Sequence, residues 1–307
     1  MKCNLSIGLL LVTEAVLLGS CTKDNVMEET SQVTNQEVSI TCFEKGMVDI
    51  GSLETRADTP ASLKSTRRFS ELEVALIPID EEEDSGYVVR QDSTMSDFGK
   101  VKLDVPLGKY HMIAIAAGTK DLSAGRVTIQ SSSEITFPDD TPTDMVYAYK
   151  QVTVSASKSK QAYDATLARG VSAFRLTASD YPTSDIASEN VTITGNCGTA
   201  FNPITGKCVA TNGASRFIPV DGVKYKDQIL YFQLYTFLGE DDVSDLQVDA
   251  QAQDKNGKVI RNLHFDNVHL EKTKLTIYKG AVFTSDNSAN FTVSRPNMEQ
   301  SSYSEDF

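Results

Sequence analysis

The chain has no tryptophan and only three histidines in 307 residues. Without indole rings, the stacking platforms common in sugar-binding modules are missing, which weakens that reading. Three histidines are a poor supply for acid–base catalysis or zinc ligation. Basic residues are also scarce: 29 Lys and Arg stand against 42 Asp and Glu, a formal charge of -13. Phosphate backbones are held by clusters of Lys and Arg, so this balance argues against a nucleic-acid partner. The densest positive stretch is only Ser65 to Phe69, "STRRF". No apolar run reaches 18 residues, so no helix long enough to span a bilayer is expected.

Catalytic signatures are missing as well. There is no G-x-S-x-G elbow, no phosphate-binding glycine loop and no H-E-x-x-H pair. His264 and His269 are five apart, so on one continuous strand they would point to opposite faces. His111 falls on a strand and reads as an ordinary structural residue. The acidic stretches Asp80 to Gly86 and Gly239 to Asp245 lack EF-hand spacing and read as solvated turns. The sequence therefore predicts no enzyme, no catalytic residues, no metal site and no cofactor.

What is present begins at the N-terminus. Lys2 and the apolar run Ile7 to Leu18 have the layout of an export signal, interrupted by Glu14. The segment ends Leu18-Gly19-Ser20-Cys21, which resembles the bacterial lipobox, where the cysteine thiol receives lipid and becomes the new N-terminus. Residues 1–20 are thus read as a lipoprotein signal peptide and Cys21 as the lipidation site. Residues 21–36 are polar and acidic without hydrophobic period and read as a flexible tether.

From Val38 onward the pattern has period two, with hardly any helical periodicity. "EVSITCF" sets Val38, Ile40 and Cys42 on one face, and "ELEVALIPI" sets Leu72, Val74 and Leu76 against Glu71, Glu73 and Ala75. "VKLDV" turns Val101, Leu103 and Val105 inward. Gln228 to Leu238 is apolar on both faces, as a central, doubly covered strand would be. In "LQVDAQAQDKNGKVIRNLHF" two alternating runs flank Asn256-Gly257, a two-residue hairpin turn. Short strands with frequent turns indicate an all-β protein of two tandem sandwiches. The polar stretch Ser155 to Gln161 places the boundary near 165, giving domains 37–164 and 165–307.

Cysteine usage fits an exported chain. Cys3 leaves with the signal, and Cys197 and Cys208 flank the turn-rich "GTAFNPITGK". A disulfide closing that loop would contribute up to roughly 3 kcal/mol; two buried thiols on adjacent strands is the alternative. Cys42 reads as a small apolar core residue.

Four stretches together resemble the FimB/Mfa2 family of Bacteroidetes fimbrial proteins, the anchor-type relatives of type V pilins. They are the lipobox at Cys21, "LDVPLGKYHMIAIA" (Leu103 to Ala116), "ATLARGVSAFRLTASDYP" (Ala165 to Pro182) and "HLEKTKLTIYKGAVF" (His269 to Phe283). The resemblance implies two transthyretin-like, Greek-key β-sandwich domains and lipid attachment to the outer membrane. It also implies fimbrial stalk or other pilus subunits as partners, and a role in anchoring or assembling a fimbria through strand and groove contacts. The terminal strands, Val38 to Phe43, Leu275 to Phe283 and Phe291 to Arg295, are the expected contacts. Arg56, in the low-hydrophobicity stretch Gly51 to Arg68, is a candidate processing site; its plain reading is a linker residue. The alternative function is a surface glycan-binding or adhesive lipoprotein, including a fimbrial tip subunit.

Overall fold

The computed structural model describes residues 35–45, 60–79, 86–157, 159–286 and 288–298. Cys21, Arg56, the tail 299–307 and most of the acidic stretch Asp80 to Gly86 lie outside them. The first sandwich opens with β1 (Asn35–Glu44), β2 (Ala61–Ser62) and the short helix α1 (Leu63–Thr66). It continues with β3 (Glu71–Pro78), β4 (Tyr87–Asp92), β5 (Lys100–Pro106) and β6 (Gly108–Ala117). A hairpin of β7 (Thr128–Ser131) and β8 (Glu134–Thr136) precedes β9 (Met145–Val154) and β10 (Gln161–Arg169).

The second sandwich starts with β11 (Ser172–Ala178) and β12 (Ser188–Thr194). Three two-residue strands follow, β13 (Cys197–Gly198), β14 (Phe201–Asn202) and β15 (Lys207–Cys208). Then come β16 (Ala214–Pro219), β17 (Tyr231–Leu238) and β18 (Val243–Gln253). β19 (Val259–Glu271), β20 (Leu275–Gly280) and β21 (Thr292–Ser294) end the fold.

The pairing repeats. In the first sandwich β1 lies between β5 and β10, and β10 joins β9 through Ala168 and Arg169, so that β9-β6-β3-β4 continue the same eight-stranded sheet around a shared core. In the second, β11 lies between β17 and β20, and β16-β12-β18-β19 face it. Within both, the first strand runs parallel to the last long one, and the other neighbours are antiparallel. Residue 165, the expected change of domain, lies within β10, which pairs with β1 along Gln161–Leu167.

Three buried clusters follow from this stacking. One fills the first sandwich with Val38, Ile40, Leu72, Val74, Leu103 and Met112. Another fills the second with Phe174, Leu176, Val191, Phe232, Leu246 and Phe265. The third lies where the two meet, with Ile113, Ile115, Ala173, Phe201, Phe237 and Leu275. β17 contributes Phe232 and Leu234 to one cluster and Tyr235 and Phe237 to another, so it is the doubly covered strand expected from its composition. β3 and β6 are also covered on both faces, and "VALI" and "MIAIAA" are the near-continuous apolar runs this requires.

The β18–β19 hairpin differs in two details from the sequence reading. Its loop is Asp254–Lys258 rather than two residues, because Asp254 Oδ1 accepts the N–H groups of Asn256 (2.8 Å) and Lys258 (2.9 Å). Gly257 sits there at φ 77°, a conformation open to glycine. Further along, a bulge opposite Leu246–Val248 inserts one residue into β19, where Asn267 has φ 54°. The extra residue brings His264 and His269 to the same, outer face. Each is tied to its own carboxylate, Asp249 (2.8 Å) and Asp245 (2.9 Å).

Candidate functional site

The expected contact strands occupy different positions. β1 is internal: its Asn35–Thr41 segment pairs antiparallel with β5 and its Val38–Glu44 segment parallel with β10. The alternation of "EVSITCF" sends Val38, Ile40 and Cys42 into the core, where each is at most 2% exposed. Burial pushes the Cys42 thiol up to about 12, leaving it protonated and unreactive. β20 is internal as well, between β11 and β21. Of the three expected contact strands, β21 is the one at an open edge, with Thr292, Val293 and Ser294 all exposed.

Charged side chains clamp the far end of β1. Glu44, its last residue, takes a 2.8 Å ion pair from Arg68, whose other nitrogen reaches Asp144 at 3.2 Å. Arg169, the last residue of β10, grips Asp144 with Nε and Nη2, both at 2.9 Å. Glu44 and Arg169 are buried, and bidentate geometry is what makes such a pair effective there. The Lys45 N–H extends the junction by donating to Leu167 O at 2.8 Å. The "LARG" stretch thereby acquires a physical role. Arg169 locks the start of β9 to the end of β10, and a Cβ on Gly170 would lie 2.9 Å from the Tyr147 ring.

A second clamp closes the parallel pair of the other sandwich. The Asp180 carboxylate, just past β11, accepts the N–H groups of Val282 (2.8 Å), Phe283 (3.0 Å) and Thr284 (2.8 Å). The Thr284 hydroxyl adds a fourth bond at 2.7 Å. Gly280 leaves room for the Phe291 ring, which a Cβ would meet at 2.7 Å. "TASDYP" and "YKGAVFT" are thus two halves of one joint.

Two structural carboxylates were not singled out by the sequence. Glu71 and Glu73, set opposite Leu72, Val74 and Leu76 by the alternation, are both buried. Glu73 pairs with Arg90 at 2.6 Å and accepts the Ile129 N–H at 2.9 Å. Glu71 accepts the Thr119 hydroxyl and the Val127 N–H at 3.3 Å. Together they stand in for a neighbouring strand along 127–129. The available signal was that Ala75 and Ile77 continue the same face, which no solvated face requires.

The remaining expected residues lie in different surroundings. Cys197 is buried in the second core and Cys208 is half-buried against the cluster between the sandwiches; burial raises both thiols, Cys197 to about 11 with a contribution from nearby Cys208. Of the acidic stretch Gly239 to Asp245, Asp242 is ion-paired to Lys207 at 2.7 Å and Asp245 is hydrogen-bonded to His269. His111 Nδ1 contacts the Tyr149 hydroxyl at 2.9 Å, and burial lowers its pKa. Among the described residues no three His, Cys, Asp or Glu side chains are grouped to hold a metal. No described helix is long and apolar enough to cross a membrane.

Residues 77–300 match the family described as fimbrillin-A associated anchor proteins Mfa1 and Mfa2. The chain belongs to this family. The match covers both sandwiches from the end of β3 onward and includes the two clamps apart from Glu44 and Arg68. Solved structures with similar folds include the fimbrial anchor protein Mfa2 from Porphyromonas gingivalis. It is 12% identical, with 84% of this chain and 95% of that one covered and a TM-score of 0.43. A proposed adhesin from Bacteroides ovatus is 11% identical, with 82% and 88% covered and a TM-score of 0.47. A fimbrial assembly protein from Parabacteroides distasonis is 11% identical, with 86% and 96% covered and a TM-score of 0.39. No curated protein matches the chain.

Proposed function

We propose that this chain is a fimbrial subunit of the anchor kind, fastened to the outer membrane by a lipid on Cys21 and joined to other pilus subunits. Family membership supports the fimbrial role. The observation that carries the anchor reading is the placement of β1, laddered on both sides and clamped at Glu44. A subunit held at a membrane by its N-terminus must keep its first strand, and this strand is built to be kept. The body offers strand edges and apolar surface rather than a catalytic constellation. A glycan-binding or adhesive lipoprotein is the second reading, favoured by the exposed rings of Tyr181 and Phe217.

Two experiments test the proposal. Deleting the gene in the native organism and imaging cells and medium by electron microscopy should show long fibres shed from the surface. Unchanged, cell-attached fibres would refute the anchor role. Cys21→Ala should move the protein from the detergent phase to the aqueous phase, and continued partition with detergent would refute the lipid.

A further inference from the structure

A cavity opens in the first sandwich between α1 and the turn that joins β4 to β5. Its walls are Leu63, Lys64 and Arg67 from α1 and its C-cap, Phe69 just beyond, and Ser93 and Phe98 from the turn. Leu63, Phe69 and Phe98 are buried, so Lys64, Arg67 and Ser93 are the side chains it presents to solvent. It encloses about 160 Å³. At roughly 30 Å³ per water this is the room of about five waters, the scale of a single sugar ring.

All three can donate hydrogen bonds, and no acidic side chain lines the cavity, in a chain with 42 Asp and Glu against 29 Lys and Arg. Lys64 is fixed at the wall: its Nζ donates to Met95 O and Ser96 O, both at 3.0 Å, and a third N–H remains. Ser93 is held by its backbone, whose N–H donates to Ser70 O at 2.8 Å. Among the described residues neither the Arg67 guanidinium nor the Ser93 hydroxyl has a partner. The two arginines of "STRRF" therefore divide. Arg68 turns to Glu44 at 2.8 Å and Asp144 at 3.2 Å, and Arg67 turns to the cavity.

Arg67 holds this place against its backbone preference. It caps α1 at φ 54° and ψ 22°, the left-handed region in which glycine is the usual residue. Glycine there would relieve the backbone and lose only the side chain. An arginine kept in a glycine's position, with no carboxylate to pair with, points to a group that its side chain meets outside the fold.

We propose that this cavity binds a small carboxylate of sugar-ring size, an acidic sugar of the hexuronate kind. Its carboxylate accepts from Arg67 and from the remaining N–H of Lys64, and its hydroxyls exchange hydrogen bonds with Ser93 in place of water. Charge complementarity selects the acid, and the volume selects a ring over a bare inorganic anion. An extended peptide has no ladder to join here, because the walls are a helix and a turn, and Lys64 already takes the carbonyls of Met95 and Ser96. The site uses neither the lipid nor a strand edge, so it stands or falls apart from the anchor reading.

The test is ligand-observed NMR titration of purified full-length protein at low salt with glucuronate, glucose, N-acetylglutamate and inorganic phosphate. Glucuronate should bind at least tenfold more tightly than glucose, and more tightly than the other two. Arg67→Gly should weaken it at least fivefold with the melting temperature unchanged or raised, since glycine suits that backbone. Arg67→Gln, which keeps a long polar side chain without the charge, should weaken it as much, and Lys64→Gln at least threefold. Equal binding of glucuronate and glucose, binding of neither, or affinity untouched by both Arg67 variants would overturn the proposal. Tighter binding of phosphate or N-acetylglutamate than of glucuronate would overturn the sugar assignment in favour of an inorganic anion or an acidic amino acid.

Discussion

Glu189 offers the sharpest test of the packing argument. It lies on β12, opposite Ile218 and Ala252, on the face that sends Val191 and Ile193 into the second core. It is 1% exposed, and neither carboxyl oxygen has a partner. Burial raises its pKa from 4.5 to about 8, with no opposing contribution from a cation or a hydrogen bond. Folded, the group is therefore mostly protonated at pH 7; unfolded, it is ionised. Below pH 4.5 both states hold the proton and the group leaves stability unchanged. As pH rises from 4.5 to 8 the unfolded chain releases its proton first, and stability is lost. At about 1.4 kcal/mol per unit, the loss is roughly 3 kcal/mol by pH 7 and about 5 kcal/mol in full. Glu189→Met has similar volume and no charge, so it should remove this dependence. The gap between the two melting temperatures should be smallest at and below pH 4.5 and widen steadily above it. By pH 7 the gap should have widened by roughly 6–12 °C, at about 2–4 °C per kcal/mol. Parallel curves across this range would show that Glu189 has found a partner and that its burial is not as described.

The other predictions concern the clamps, the first strand and the thiols. Arg169→Ala removes the bidentate partner of Asp144 and leaves it only Arg68; urea unfolding should show a loss of about 1–3 kcal/mol, and a change below about 0.5 would contradict the clamp. Asp180→Ala frees the N–H groups of Val282 to Thr284 and should lower stability by about 1–3 kcal/mol, with faster hydrogen exchange at those amides and unchanged exchange in β1. Chain cleavage at Arg56 should leave β1 bound to the body on gel filtration and release it only in denaturant; release in buffer would refute its role as an integral strand. A maleimide at pH 7.5 should label Cys208 first, and Cys42 only on unfolding, because burial pushes Cys42 further from its ionised form.

The sequence was most legible where one face of a strand meets a core and the other meets water. β1, β5 and β18 alternate cleanly for that reason, and their inward residues are those expected. β4 and β16 were harder to see. They are edge strands whose inward positions include Gln91 and Arg216, polar residues recruited to reach across the sandwich opening. The meaning of Glu71 and Glu73 was hidden because the strand they serve, along 127–129, lies more than fifty residues away. The clamps were visible only as motifs. Asp180 and Thr284 are 104 residues apart, and no local period links a carboxylate to the turn that will hold it. Histidine orientation failed for a different reason, since a single inserted residue reverses parity along the rest of the strand.

The parallel pairing of β1 with β10 has a mechanical consequence. Tension arriving through the N-terminal segment enters at Asn35, while the chain leaves this sandwich at the Arg169 end of β10. Because the two strands run the same way, those points lie at opposite ends of their shared ladder. A pull between them acts along the strands and loads the hydrogen bonds together in shear, instead of unzipping them one at a time. The ion pairs at Glu44 and Arg169 sit at the end where sliding would have to finish. Resistance to force is set by the unfolding barrier rather than by equilibrium stability. A sandwich threaded this way would resist a pull on its N-terminal strand without being unusually stable at rest.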